Sequence, residues 1–173
     1  MQDVKKTPRY VLREATVADY DAILAMNAES VHFLSPMDAD RLAHLHSQAE
    51  RLWVAESEGE TAAFLLALTE GKDYDSENYV WFSGHYPRFL YIDRVVVSVK
   101  HQGKGLGKAL YEAVLAHAKA IRVPCITAEI DINPPNPGSL AFHEGFGFTE
   151  VGRQSVAGGK KVVSLQQRLV DSL

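Results

Sequence analysis

The chain is short of several things. A single cysteine, Cys125, rules out any internal disulfide. No apolar run approaches the ~18 residues a membrane-spanning helix needs, and no charged leader with an apolar segment opens the sequence, so a soluble, cytoplasmic protein is expected. There is no excess of positive charge: 18 Lys and Arg stand against 22 Asp and Glu, a net charge of −4, which gives no global field to gather nucleic acid. Internal repeats and low-complexity linkers are missing as well. His44 and His46 lie two residues apart, so on a helix they face different ways and cannot form a metal pair; no metal site is expected. What remains is ordinary globular composition, 46% hydrophobic over 173 residues, enough for one core in one domain spanning 1–173.

Against that background one segment stands out: Gln102-Gly103-Lys104-Gly105-Leu106-Gly107-Lys108. It lies between an apolar run, Leu90 to Val99, and a helical pattern over roughly Gly105 to Arg122, with Leu106, Leu110, Ala113, Val114, His117, Ala118 and Ile121 on one face. A strand, a glycine turn and a helix N-terminus make an anion site, because unpaired N–H groups and the helix dipole converge there and glycine lets a ligand approach. A Walker A loop is excluded, since only three residues separate Gly103 from Gly107-Lys108 and Ala109 follows where Ser or Thr would hold magnesium. A dinucleotide fingerprint is excluded too, because Lys108 stands where its third glycine would be. Lys100, His101, Lys104 and Lys108 cluster around the loop, either to hold phosphates or as solvated surface.

The pattern formed by Gln102, Gly105 and Gly107 resembles the acetyl-CoA pyrophosphate loop of the GNAT superfamily of N-acetyltransferases. A second stretch, Asn133-Pro134-Pro135-Asn136-Pro137-Gly138-Ser139-Leu140-Ala141-Phe142-His143-Glu144-Gly145-Phe146-Gly147-Phe148, looks like that family's other signature, one helix and one strand downstream. The resemblance is specific over Leu90 to Phe148 and diffuse before it. It implies an α/β (α+β) fold: one GNAT-like domain with a mixed central β-sheet flanked by helices on both faces. It also implies acetyl-CoA as cosubstrate, held by Gln102 to Lys108 and by Asn136, Ser139 and Phe142, with the pantetheine arm and the oxyanion on backbone of Val95, Val96 and Val97. The activity implied is direct acetyl transfer to a primary amine, on a small molecule or a peptide, without a covalent acyl-enzyme. The alternative is a non-catalytic acyl-CoA-binding module of the same fold. Dimers are common in the family.

Alternation along the central strand puts Tyr91, Asp93, Val95 and Val97 on one face and Ile92, Arg94 and Val96 on the other. The family's base position falls on Tyr91, one pleat before Asp93. Asp93 is therefore the first candidate base, unless it simply pairs with Arg94; Glu129 on the next strand is a lesser one. His143 occupies the place where the family usually carries a tyrosine near the CoA sulfur. It is either a substituted general acid, since imidazole titrates near neutrality, or a surface histidine, with thiolate departure aided by water or Tyr91. His117 reads as a packed histidine on the helix stripe and Cys125 as a buried bystander.

The remaining elements follow from local rules. A first strand is expected over Arg9 to Glu14. A helix capped by Thr16, with Asp19 three residues on, should end near Ser30, and another capped by Asp38 should run to about Glu50. Strands Leu52 to Glu56 and Thr61 to Thr69 flank the turn Ser57-Glu58-Gly59-Glu60. A strand Cys125 to Ile132, a short helix from Ser139, and strands Thr149 to Val156 and Lys161 to Leu169 around Gly158-Gly159 complete the chain. Gly71 to Phe89 reads as a long loop rich in aromatics, either shaping an acceptor pocket or dimer surface or packing on the sheet. With Ala28 to Ala43 it is expected to form the acceptor side. An aromatic wall there would favour an apolar or cationic amine.

Overall fold

The computed structural model describes residues 9–30 and 34–171. In chain order the elements are β1 (Val11–Glu14), α1 (Tyr20–Glu29), α2 (Ala39–Gln48), β2 (Arg51–Ser57), β3 (Glu60–Thr69), α3 (Glu77–His85), β4 (Leu90–Val97), α4 (Leu106–Ile121), β5 (Cys125–Asn133), α5 (Pro137–Gly145), β6 (Thr149–Val156) and β7 (Lys161–Leu169). Among the described residues no helix is long and apolar enough to cross a membrane. The expected caps form: Thr16 and Asp19 make a capping box, and the Asp38 side chain accepts from the Arg41 amide.

One mixed sheet runs β1-β2-β3-β4-β5-β7-β6. It is buried on both faces, which is why β3 reads as an almost unbroken apolar run. Phe64, Leu66 and Leu68 meet Ile23, Leu42, Leu45 and Phe82 from α1, α2 and α3. Ala63, Leu65 and Ala67 meet Leu106, Leu110, Val114 and Ala118 from α4. His117 is packed as expected, its Nε2 2.9 Å from a Glu50 carboxylate oxygen and its ring edge-on to Trp53.

Two sequence expectations are corrected. Gly71 to Phe89 is not a structureless loop, because it contains α3, capped by the Ser76 side chain. Tyr79, Phe82 and Tyr86 fall at i, i+3 and i+7, a helical stripe that the β-forming character of aromatic residues conceals. Tyr79 and Phe82 lie 5.6 and 5.8 Å, ring to ring, from Tyr91. These aromatics are core rather than pocket.

The second correction concerns β4. Its pairing with β3 jumps from Leu66↔Arg94 to Ala67↔Ile92, leaving Asp93 as the extra residue of a β-bulge. Alternation therefore breaks in mid-strand. Val95 and Val97 join Ile92 against the α4 layer, while Tyr91 and Val96 belong to the opposite one. Asp93 and Arg94 both reach toward the α1 and α3 side, where their partners are Tyr74, Asn27 and Ser35.

α3 is locked to the far end of the sheet at Gly152 of β6, where an added Cβ would stand 2.7 Å from Cζ2 of Trp81. The Trp81 ring is itself stacked on His85 at 3.7 Å and cannot swing freely. Gly152→Ala is expected to destabilise the fold by about 1–3 kcal/mol; an unshifted denaturant midpoint would show that the ring yields.

Candidate active site

β4 and β5 run parallel but pair only at Leu90↔Ile126 and Tyr91↔Thr127. Beyond those pairs they part, and a cavity of about 710 Å³ opens between them. Its floor is made by Ile92 to Val95 on one side and Ala128 to Asp131 on the other. Past Tyr91 the edge of β4 that faces β5 has no recorded ladder partner among the described residues, so its backbone donors and acceptors face the cleft.

The glycine loop lies at the N-terminus of α4. Gly103 and Gly105 have φ of +74° and +80°, and Gly105 is the N-cap with no side-chain cap to the first turn. The amides of that first turn, from Leu106, Gly107 and Lys108, have no intrahelical acceptor. A Cβ built on Gly103, Gly105 or Gly107 meets nothing within 4 Å, so the space before the loop is open. Gln102 donates from Nε2 to the Val97 carbonyl at 3.0 Å and thereby ties the loop to the end of β4. Of the surrounding cations, Lys100 and His101 turn to Glu60 at 3.1 and 3.7 Å, and Lys108 stands 4.0 Å from Glu112. Lys104 is exposed on the loop itself.

α5 supplies the opposite wall. Asn136 caps it, accepting from the Ser139 amide, and both residues line the cavity. Phe142 packs on Tyr111 at 4.9 Å. His143 is buried, not a surface histidine. Its Nδ1 lies 2.7 Å from the Ser139 carbonyl oxygen, which only accepts, so Nδ1 carries the hydrogen and Nε2 accepts from the Tyr111 hydroxyl at 2.7 Å. Burial pulls this imidazole below its ordinary 6.5, despite the opposing bond to Ser139.

The carboxylates differ sharply. Asp93 is buried, receives the Tyr74 hydroxyl at 2.5 Å and pairs with Arg94 Nε at 2.8 Å. Arg94 Nη1 continues to Asn27 Oδ1 at 3.1 Å and to the Ser35 carbonyl at 2.7 Å. Glu129 lines the cavity and has no cationic partner recorded among the described residues. Burial first, and the negative charge of Asp93 second, raise its carboxyl to about 8 against the hydrogen bond from Tyr91. Tyr91 is not in the cavity wall: it is fully buried, and its hydroxyl reaches both Glu129 oxygens at 2.9 and 2.8 Å. It holds Glu129 rather than facing a substrate.

Where the acceptor side is expected, the cavity wall is polar, not aromatic. Of the aromatics in Gly71 to Phe89 only Tyr74 lines it, beside Asp75, Glu77 and Asn78. Arg41 lies over the Tyr74 ring at 5.2 Å and pairs with Asp75. Part of the expected acceptor segment, residues 31–33, lies outside the described residues. Sequence reasoning missed Tyr111, which sits on the buried stripe of α4 and whose partner is 32 residues away.

The model of the acetyltransferase (GNAT) family matches residues 17–148. The chain belongs to that family. Its fold agrees: Ard1 from Thermoplasma volcanium superposes with a TM-score of 0.76 at 14% identity, over 94% of this chain and 99% of that one. The ribosomal-protein-S18-alanine N-acetyltransferase from Escherichia coli gives 0.69 at 16% identity, over 95% and 96%. YncA from Salmonella typhimurium, solved with its cofactor acetyl-CoA, gives 0.71 at 21% identity, over 95% and 96%. Among curated proteins, none matches the sequence. The residues present here fit the GNAT cosubstrate, because the loop before α4 offers unpaired amides and open space where a side chain would block a pyrophosphate.

Proposed function

We propose that this chain transfers the acetyl group of acetyl-CoA to a primary amine by direct attack in a ternary complex. The observation that carries the reading is Glu129, a carboxyl raised to about 8 on the wall of the cavity where β4 and β5 part. An alkylammonium has a pKa near ~10.4, so only about one molecule in a thousand is neutral at pH 7.4, a cost of roughly 4 kcal/mol. A base of pKa about 8 beside the incoming amine accepts its proton at a smaller cost than a carboxylate of ordinary pKa, about six units below the ammonium. Asp93, the first candidate from sequence, is held by Arg94 and Tyr74 and serves better as structure. The ammonium gives one proton to solvent as it binds. As the neutral nitrogen then attacks the thioester carbon, a second proton passes to Glu129, so the tetrahedral intermediate carries a neutral N–H and the oxyanion.

The oxyanion would be met by a backbone N–H among Val95, Val96 and Val97, whose strand has left its β5 partner. A single such donor is worth about 3 kcal/mol. The pantetheine arm would run along the same open edge as an added strand. The pyrophosphate would take the amides from Gly103 to Lys108, with Lys104 and Lys108 at its rim.

Calorimetry with acetyl-CoA and desulfo-CoA tests the cosubstrate site on wild type and Gly105→Glu. A side chain at φ +80° is strained and its carboxylate would lie where the anion binds. Affinity should fall by at least ~10-fold, equivalent to about 1.4 kcal/mol. No binding to wild type would overturn the proposal. Binding without thiol release across a panel of small amines and peptide N-termini would leave the acyl-CoA-binding module as the function.

A further inference from the structure

We propose that the hydroxyl of Tyr111, backed by His143, delivers the proton that the departing CoA sulfur requires. The inference rests on the acetyl-transfer reading and extends it to the leaving group. Where the family usually carries a tyrosine, α5 here presents a histidine, and the hydroxyl arrives instead from the neighbouring helix α4. Tyr111 and His143 both line the cavity, with Ile92 and Val95 of β4 beside them. Their side chains meet at 2.7 Å. Phe142, Phe146 and Phe148 pack around the Tyr111 ring at 4.9, 5.6 and 6.1 Å and fix its orientation. The residue still lines the cavity through which solvent reaches the pair. Glu129, on β5, is the charged group that acts on the Tyr111 hydroxyl.

Acidity decides why two residues are needed. A phenol of pKa ~10 already holds its proton more tightly than a thiol of ~8.5. Burial raises Tyr111 further, so tyrosine alone would not protonate a thiolate. An imidazolium lies on the other side of the thiol, and burial makes it a still stronger acid. Because the Nδ1 hydrogen is fixed on the Ser139 carbonyl, the proton taken up from solvent enters at Nε2 and points at the Tyr111 oxygen.

The step balances. As the tetrahedral intermediate collapses, the C–S bond breaks and its electron pair stays on sulfur. Tyr111 Oη gives its proton to that sulfur and takes the Nε2 proton of the His143 imidazolium. What is left is free CoA thiol, neutral His143 and a Tyr111 hydroxyl donating to Nε2, which is the arrangement seen here. Solvent recharges His143 before the next turnover. Tyr111 is the catalytic residue, since it touches sulfur, and His143 is a positioning residue that acts through it.

Two variants and their combination test this. Tyr111→Phe removes only the hydroxyl, and His143→Gln keeps an acceptor for Tyr111 but cannot carry the proton. Each should lower kcat about 10²-fold, the lower range of general acid catalysis, with acetyl-CoA affinity by calorimetry within about twofold of wild type. The double variant should be no slower than the slower single, because the two act as a unit. Unchanged kcat in Tyr111→Phe, or losses that multiply, would overturn the proposal. A second readout needs no turnover: the thiol of bound CoA, followed by thiolate absorbance, should titrate about one pH unit lower in wild type than in Tyr111→Phe, a tenfold effect. Equal titration overturns the contact with sulfur. If wild type releases no thiol with any amine, the acetyl-transfer reading fails, while the titration still decides whether Tyr111 meets the sulfur.

Discussion

Glu129→Gln is expected to lower kcat/KM by about 10²–10⁴-fold, the range of a lost general base, and to erase the acid limb of the pH profile. In wild type the reaction needs Glu129 ionised and His143 protonated together, so the acid limb follows the His143 imidazole. Activity falls again above about pH 8, where Glu129 is fully ionised but His143 is neutral. A second measurement separates the charge from the chemistry. The native protein keeps the Glu129 proton to about 8, whereas an unfolded glutamate releases it near ~4.3. Between those values the folded state binds more protons than the unfolded one, so stability falls as pH rises. The contribution is fully present below ~4.3 and is lost as the pH climbs through about 8. Glutamine does not titrate. The variant should therefore match wild type near pH 4 and exceed it near pH 9 by up to about 3 kcal/mol, allowing for partial exposure. Stability curves that stay parallel from pH 5 to 9 would show that Glu129 is not perturbed, and with it the case for this residue as base would go.

What could be read from the sequence, and what could not, divides by the range of the interactions. The loop Gln102 to Lys108 and the stretch Asn133 to Phe148 are contiguous and obey local glycine and capping rules, so both were legible, and α4 and α5 lie where expected. The expected bounds of the last two strands, Thr149 to Val156 and Lys161 to Leu169, are those of β6 and β7. α3 was hidden because Tyr79, Trp81, Phe82 and Tyr86 suit strands as well as helices, and only the packing against Tyr91 and Phe89 decides. The β4 bulge has no local marker: Asp93-Arg94 alternates as well as any pair, and one extra residue turns Val95 and Val97 to the other face. The pairings that define the site link distant positions. Tyr91 finds Glu129 across 38 residues, Tyr111 finds His143 across 32, and Arg94 finds Ser35 across 59. Periodicity reports which face a residue takes, not what it meets there.

That last contact carries the second large effect. Arg94→Met is expected to destabilise the protein by about 3–5 kcal/mol, because it leaves Asp93 buried with no cation and only the Tyr74 hydroxyl for support. Adding Asp93→Asn should restore most of the loss, since it removes the stranded charge, and a double variant no more stable than Arg94→Met would refute the pairing argument. The functional consequence is confined to the acceptor side. Arg94 holds the Ser35 carbonyl at the cavity rim and the buried Asn27 behind it, so its loss should raise KM for the amine while calorimetric affinity for acetyl-CoA stays unchanged. Asp93→Asn alone then separates the two carboxylates. It leaves Arg94 buried and unpaired and lowers stability, but Glu129 keeps its ionisation, and removing the repulsion from Asp93 shifts the limb near pH 8 downward rather than abolishing it. If the limb vanished with Asp93 and survived in Glu129→Gln, the proton would be passing to the bulge of β4 and not to β5.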